Sequence, residues 1–263
     1  MRNEPCWCGS GRKEKKCHPD VKRHSAFGNL IMLYNRVDEL IKNEKGNVKC
    51  RAGCSACCYE HFYISATEFY YIMSSIIENE GESKAEEFID RGYQLWLEFE
   101  KKYPEAAQQL YNPLASPEEA ANGLASLQFI ERTFESIDGT DQLRDKKPCP
   151  FLDTNNGCCS VYEYRPFICR EFGVAKRVQM TLPYEVCAEM KDGLAYQEEM
   201  VDISEYTEDV INLNSILFGK KVLHQRPYPI FYFMKFLKGN MKGLQAMIKR
   251  YKELSLKELV IPS

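Results

Sequence analysis

No apolar run in this chain approaches the roughly 18 residues that a membrane helix needs. The opening Met1-Arg-Asn-Glu-Pro-Cys6 lacks the apolar core of a secretory leader. A soluble protein in a reducing, cytoplasmic compartment is therefore expected, where clustered cysteines serve metals more often than disulfides. Nothing repeats at a fixed period, no tract is of low complexity, and strand signal is slight. A net charge of −3 argues against nucleic-acid binding by bulk electrostatics. With four histidines in the chain, imidazole can supply few metal ligands. No cofactor-phosphate loop, nucleophile or general base is legible. What the chain does have is twelve cysteines, sorted into two constellations.

The first lies in Pro5-Cys-Trp-Cys-Gly-Ser-Gly-Arg-Lys-Glu-Lys-Lys-Cys-His-Pro19. A structural zinc site closes with four soft or borderline ligands in a tetrahedron, and Cys6, Cys8, Cys17 and His18 supply them. Gly9 and Gly11 give the backbone freedom to turn around a metal. Residues 1–20 hold almost no apolar side chains, so a metal must contribute the folding energy. The four ligand atoms are then expected within about 4 Å of one another, as zinc bonds of roughly 2.0–2.3 Å require. The segment resembles the SEC-C motif, the zinc-binding tail also found on a translocase ATPase, with Trp7 where Pro is common. The resemblance implies zinc on Cys6, Cys8, Cys17 and His18, and a protein-interaction module. Arg2, Arg12, Lys13, Lys15, Lys16, Lys22 and Arg23 face only Glu4, Glu14 and Asp20 in the same stretch. That local excess suits an acidic protein surface or RNA phosphates, or is a solvated face. A protein partner is the expectation, a nucleic acid is not, and the oligomeric state is open.

The second constellation is split. Its first half is Cys50, Cys54, Cys57 and Cys58; its second is Cys149, Cys158, Cys159, Cys169 and Cys187. The Cys-x-x-x-Cys-x-x-Cys spacing from Cys50 to Cys57 is also that of radical S-adenosylmethionine enzymes. Here, however, Cys58 comes directly after, Ala56 sits where an aromatic is typical, and no alternating strand–helix units succeed it. The later motifs read Cys149-Pro-Phe-Leu-Asp153, Gly157-Cys-Cys-Ser-Val-Tyr162 and Arg165-Pro-Phe-Ile-Cys-Arg170. Together they resemble the YkgJ-like CxxCxxCC family of zinc- or iron-chelating proteins. The resemblance implies a ligand set of Cys50, Cys54, Cys57, Cys58, Cys149, Cys159, Cys169 and Cys187, with Cys158 an extra. Eight thiolates exceed one tetrahedral metal and suit an iron–sulfur cluster or two metals sharing sulfurs. Arg165 and Arg170 are expected beside that cofactor, offsetting its charge and donating N–H groups to sulfur.

The rest of the chain predicts a mainly α fold: an irregular helical domain with cysteine-rich loops, plus a small N-terminal zinc knuckle. The division is 1–22 and 26–260, with the cysteine motifs inside 50–190. Leu30, Leu33, Tyr34, Val37, Leu40 and Ile41 recur at helical spacing up to Gly46. Ser65-Ala-Thr-Glu68 reads as a capping box before a helix to Ile77. Further helices are expected over about 83–102 up to Pro104, from Ser116 to about Ser136, from Thr207 to Leu217, from Pro229 to Leu237 and from Met241 to Leu254. Gly139 to Arg170 reads as loop. The intervening helices are expected to return the second cysteine half to the first.

Three functions fit. One is a metal-binding protein with structural zinc in the knuckle and an iron–sulfur cluster or zinc in the main domain. Another is a cluster-dependent enzyme, since flagellin lysine N-methylase-type proteins carry a related cysteine motif. The third is an adapter recruited by the knuckle to a translocation or translation partner.

Overall fold

The computed structural model describes residues 4–44, 52–59, 62–111, 147–172, 174–176, 201–203, 206, 209 and 228–255. The helix expected over 116–136, and most of that over 207–217, lie outside these residues. Within them the chain is mainly α. A single turn, α1 (Glu14–Cys17), precedes the long α2 (Ala26–Glu44). Strand β1 (Tyr63–Ile64) leads into α3 (Ala66–Glu80), α4 (Glu82–Lys102) and α5 (Pro104–Tyr111). A hairpin, β2 (Leu152–Asp153) and β3 (Cys158–Cys159), comes next, then α6 (Phe167–Glu171). Strands β4 (Ala175–Lys176), β5 (Val201–Asp202) and β6 (Tyr228–Pro229) are two residues each, and α7 (Ile230–Met234) and α8 (Met241–Glu253) end the described chain.

Each helix forms where its sequence lays apolar residues on one stripe. On α3 that stripe is Phe69, Ile72, Met73 and Ile76, all fully buried. The helix starts with the capping box: Ser65 Oγ accepts from the Glu68 N–H while the Glu68 carboxylate accepts from the Ser65 N–H. The stripe meets Phe88 and Ile89 of α4, Met234 of α7, Leu244 and Tyr251 of α8, and Phe27 and Ile31 of α2 in one core cluster. Burying each such side chain contributes about 1.5–3 kcal/mol. Gly92 on α4 admits α7: a Cβ there would lie 1.8 Å from Met234 Sδ.

The opposite face of α2 builds a second cluster. Leu30, Leu33, Tyr34 and Val37 pack on Phe167 of α6 and on Val174, Val201 and Ile203 around the parallel pair β4–β5. A third cluster, of Trp96, Leu110, Tyr228, Phe231 and Tyr232, seats α5 against α4 and α7. The sequence expectation differs from the structure in three places, one of them α7, which spans Ile230–Met234 rather than Pro229 to Leu237, with Pro229 in β6. Pro104 reads as a stop, yet it is the first residue of α5, where its missing N–H has no helical partner to lose. The stretch that reads as loop up to Arg170 contains the hairpin and α6, elements too short for hydrophobic periodicity to betray them.

The N-terminal segment is no loose appendage. Cys6 and Cys8 are 4% and 6% exposed and belong to the main core cluster, with Trp7 and Val21 packed against it. Main-chain bonds tie it down, from the Lys22 N–H to Lys252 O at 2.9 Å and from the Ala26 N–H to Leu254 O at 3.1 Å. The few apolar side chains of residues 1–20 thus borrow a core from α2, α3 and α8.

Candidate metal centres

At the N-terminus the chain makes a narrow hairpin. The Cys6 N–H donates to Arg12 O at 2.7 Å, the Gly9 N–H to Cys6 O at 3.1 Å, and Pro5 bridges Lys13. Gly9 and Gly11 take φ of 84° and 72°, left-handed values that side-chain-bearing residues rarely adopt. Helix α1 then swings Cys17 and His18 back over the hairpin. The four ligand atoms of Cys6, Cys8, Cys17 and His18 all lie within 4.8 Å of one another. Cys6 Sγ is 3.4 Å from His18 Nδ1, and Cys8 Sγ is 3.6 Å from Cys17 Sγ. A tetrahedral zinc with Zn–S bonds near 2.3 Å requires sulfurs about 3.8 Å apart, so the donor set fits one metal ion.

The surroundings tune these groups. Burial pushes the Cys6 thiol up to about 12. Burial acts on Cys8 too, but hydrogen bonds from Ser10 outweigh it and hold Cys8 below the usual thiol range. His18 is lowered by burial and by the Arg12 charge, which keeps the imidazole neutral and ready to ligate. Its ring stacks on Trp7 at 5.2 Å. Sequence reasoning misses two residues of this site. Ser10 Oγ lies 3.2 Å from both the Cys8 and Cys17 sulfurs, placed to donate to a thiolate. Asn35 Nδ2, on α2, donates to Cys8 O at 2.6 Å. Ser10 is visible between the two glycines; Asn35, 27 residues on from Cys8, carries no such signal.

The split constellation is brought together by contacts from both halves. Cys57 and Cys58 ride a 3-10 turn (Ala56–Tyr59), and the Cys149 N–H donates to Cys58 O at 2.6 Å. A Cβ on Gly157 would sit 3.7 Å from Ser55 Oγ, so the tip of the β2–β3 hairpin also rests on the first motif. The chain therefore leaves near Cys58, builds α3 to α5 and comes back at Cys149. Asp153 is a turn residue: its carboxylate accepts from the Asn155 N–H at 2.9 Å and from Asn156 Nδ2 at 2.7 Å. Strand alternation leaves Cys158 exposed while Cys159 is half-buried. Cys149, Cys159 and Cys169 are all raised by burial, Cys149 to about 12, and each also feels repulsion from Cys57. These four thiols are thus near enough to interact electrostatically. Among the described residues no three of them draw together as closely as the knuckle ligands. Cys54 is half-buried on the same loop; Cys50 and Cys187 lie outside the described residues. None of the ten described cysteines is in a disulfide.

The two arginines take different places. Arg165 stacks on Tyr162 at 4.0 Å and donates to Tyr162 O at 2.7 Å, and its charge pulls the Cys159 thiol down against burial. Arg170, 2% exposed, directs Nε to Arg165 O at 3.0 Å, Nη2 to Glu163 O at 2.8 Å and Nη1 to Asp38, while its guanidinium lies 4.0 Å over the Tyr34 ring. Its described contacts are with carbonyls, a carboxylate and a ring. It clamps the ligand loop onto α2.

A helical scaffold presenting a closed Cys3His set and a second group of thiols brought together from distant motifs defines a metal-binding protein. Residues 49–188 match the CxxCxxCC family, described as a "Putative zinc- or iron-chelating domain", and the chain belongs to that family. Residues 2–18 match the SEC-C motif. Methionine aminopeptidases of Chlamydia trachomatis and Chlamydia muridarum are each 44% identical to this chain over 54 residues, covering 20% of it. Those matches cover 19% of either relative, so the chain spans about a fifth of the length of the curated relatives it matches. No solved structure gives a significant match.

Proposed function

We propose that this protein is a two-site metalloprotein, with one structural zinc in the knuckle and an iron–sulfur cluster in the split site. One contrast supports the reading. The knuckle ligands close to single-ion distances, whereas Cys57, Cys149, Cys159 and Cys169 form no such single-ion group among the described residues, although the last three each feel the Cys57 charge. A single tetrahedral ion needs sulfurs about 3.8 Å apart; a cluster spreads its cysteines over several irons and suits a wider cage. The donors are soft thiols, with Arg165 offsetting their charge. When bound, the cluster would supply reversible one-electron chemistry, its potential tuned by burial and by hydrogen bonds to sulfur. Metal and acid-labile sulfide analysis of anaerobically purified protein tests this. Iron and sulfide beside one zinc per chain, with absorbance near 400 nm, is the expected result. Colourless protein holding only zinc would overturn the cluster and leave metal binding intact.

The knuckle has a second task in this proposal. Arg12, Lys13, Lys15, Lys16, Lys22 and Arg23 are all exposed, a basic face suited to an acidic protein partner. Reversing the charge of Lys15 and Lys16 should abolish co-purification of such a partner while leaving the zinc in place. This tests the face better than deleting residues 1–20, which would also strip Cys6 and Cys8 from the core.

A further inference from the structure

Glu68 is 3% exposed, yet its carboxylate does more than close the capping box of α3. Oε2 accepts from the Ser65 N–H at 2.9 Å and from Ser65 Oγ at 2.8 Å. Oε1 reaches away from its own helix, accepting from the Tyr34 hydroxyl at 2.9 Å and from the Phe167 N–H at 2.7 Å. A buried carboxylate is costly unless its lone pairs are satisfied, and four donors do that here. The capping box needs only Oε2. Oε1 serves a residue 99 positions away.

Phe167 is the first residue of α6, the short helix that carries Cys169. Its N-cap is Pro166, which has no side-chain acceptor to offer. The first N–H of α6 is therefore capped from α3 by Glu68, and the Cys169 N–H closes on Pro166 O at 3.0 Å within the same turn. The Tyr34 hydroxyl fixes the direction of Oε1, and the Tyr34 ring lies under Arg170, so α2 and α6 share the same carboxylate. The neighbour of Tyr34, Asn35, holds Cys8 O of the knuckle. We propose that Glu68 is a positioning residue for the split metal site, holding α6 and thus Cys169 in ligating geometry before metal arrives. This rests on the reading of that site as a metal centre. Groups that orient ligands in this way typically change metal affinity by about 10–100-fold when removed.

The experiment uses full-length protein, loaded and handled anaerobically, and follows metal release to EDTA together with helical circular dichroism. Glu68→Gln leaves one acceptor oxygen and turns an amide toward donors. It should release split-site metal at least about tenfold faster, with knuckle zinc and helicity unchanged. Ser65→Ala removes a donor to Oε2 but spares the bonds from Phe167 and Tyr34, so it should lower stability and leave the release rate alone. Tyr34→Phe should fall between the two. Equal acceleration by Ser65→Ala would mean that α3 stability is the cause and would overturn the proposal. So would a Glu68→Gln chain that loses helicity and knuckle zinc together. Wild-type protein holding metal only in the knuckle overturns both this inference and the cluster reading. Split-site metal retained equally by wild type and Glu68→Gln overturns this inference alone.

Discussion

Cys6 and Cys8 stand two residues apart, yet their thiols are driven in opposite directions, Cys6 up to about 12 by burial and Cys8 down by Ser10. A metal must therefore displace a proton from Cys6 throughout the neutral range, while neutral His18 gives up none. Affinity should rise with pH, by about tenfold per unit for each proton displaced. Zinc competition against a chelator across the neutral range, monitored by the fluorescence of Trp7 on the His18 ring, measures this. A pH-independent affinity would contradict a Cys6 thiol that stays protonated through this range. At this scale the ligands are legible because thiol chemistry is local and the spacing of Cys6, Cys8, Cys17 and His18 encodes their convergence. Glu68 and Asn35 are not. Glu68 reads as an ordinary capping residue, and only the fold brings Phe167 to it.

Among the elements, the α4–α7 contact is the tightest test of packing. Gly92 faces Met234 so closely that an added Cβ would overlap Sδ and crowd Cγ and Cβ at 2.9 and 3.0 Å. Gly92→Ala should cost about 1–3 kcal/mol as α7 shifts or Met234 leaves its rotamer, even though alanine is the better helix former. Urea denaturation reads this directly, and an unchanged midpoint would mean that α7 moves freely. The long helices are legible in the sequence: α2, α3, α4 and α8 each carry three or more buried residues at helical spacing. What escapes is short. The hairpin β2–β3 is set by the Asp153 and Asn156 side chains and by Gly157 at φ 68°, and α6 by a cap from another helix. Neither signal is periodic, and the second is not local.

For the whole molecule, the position of the knuckle matters more than the identity of its ligands. Composition alone separates residues 1–22 from the helical domain of 26–260. The structure packs Cys6, Cys8 and Trp7 into the core cluster shared by α2 and α3 and binds Lys22 to Lys252 of α8. If metal in the knuckle holds that wedge, its loss should be felt throughout the core. Cys17→Ser breaks the ligand set at a half-buried position without deleting core volume. A loss of about 2–3 kcal/mol would lower the thermal midpoint by roughly 4–12 °C in a chain of this size, in a single cooperative transition. The same variant should also release split-site metal faster, because Asn35 on α2 holds the knuckle and its neighbour Tyr34 holds Glu68. Calorimetry and metal release measured on one preparation decide the matter. An early, small transition and then unfolding at the wild-type temperature would show two independent units, and the path from knuckle to cage through α2 would then carry no coupling.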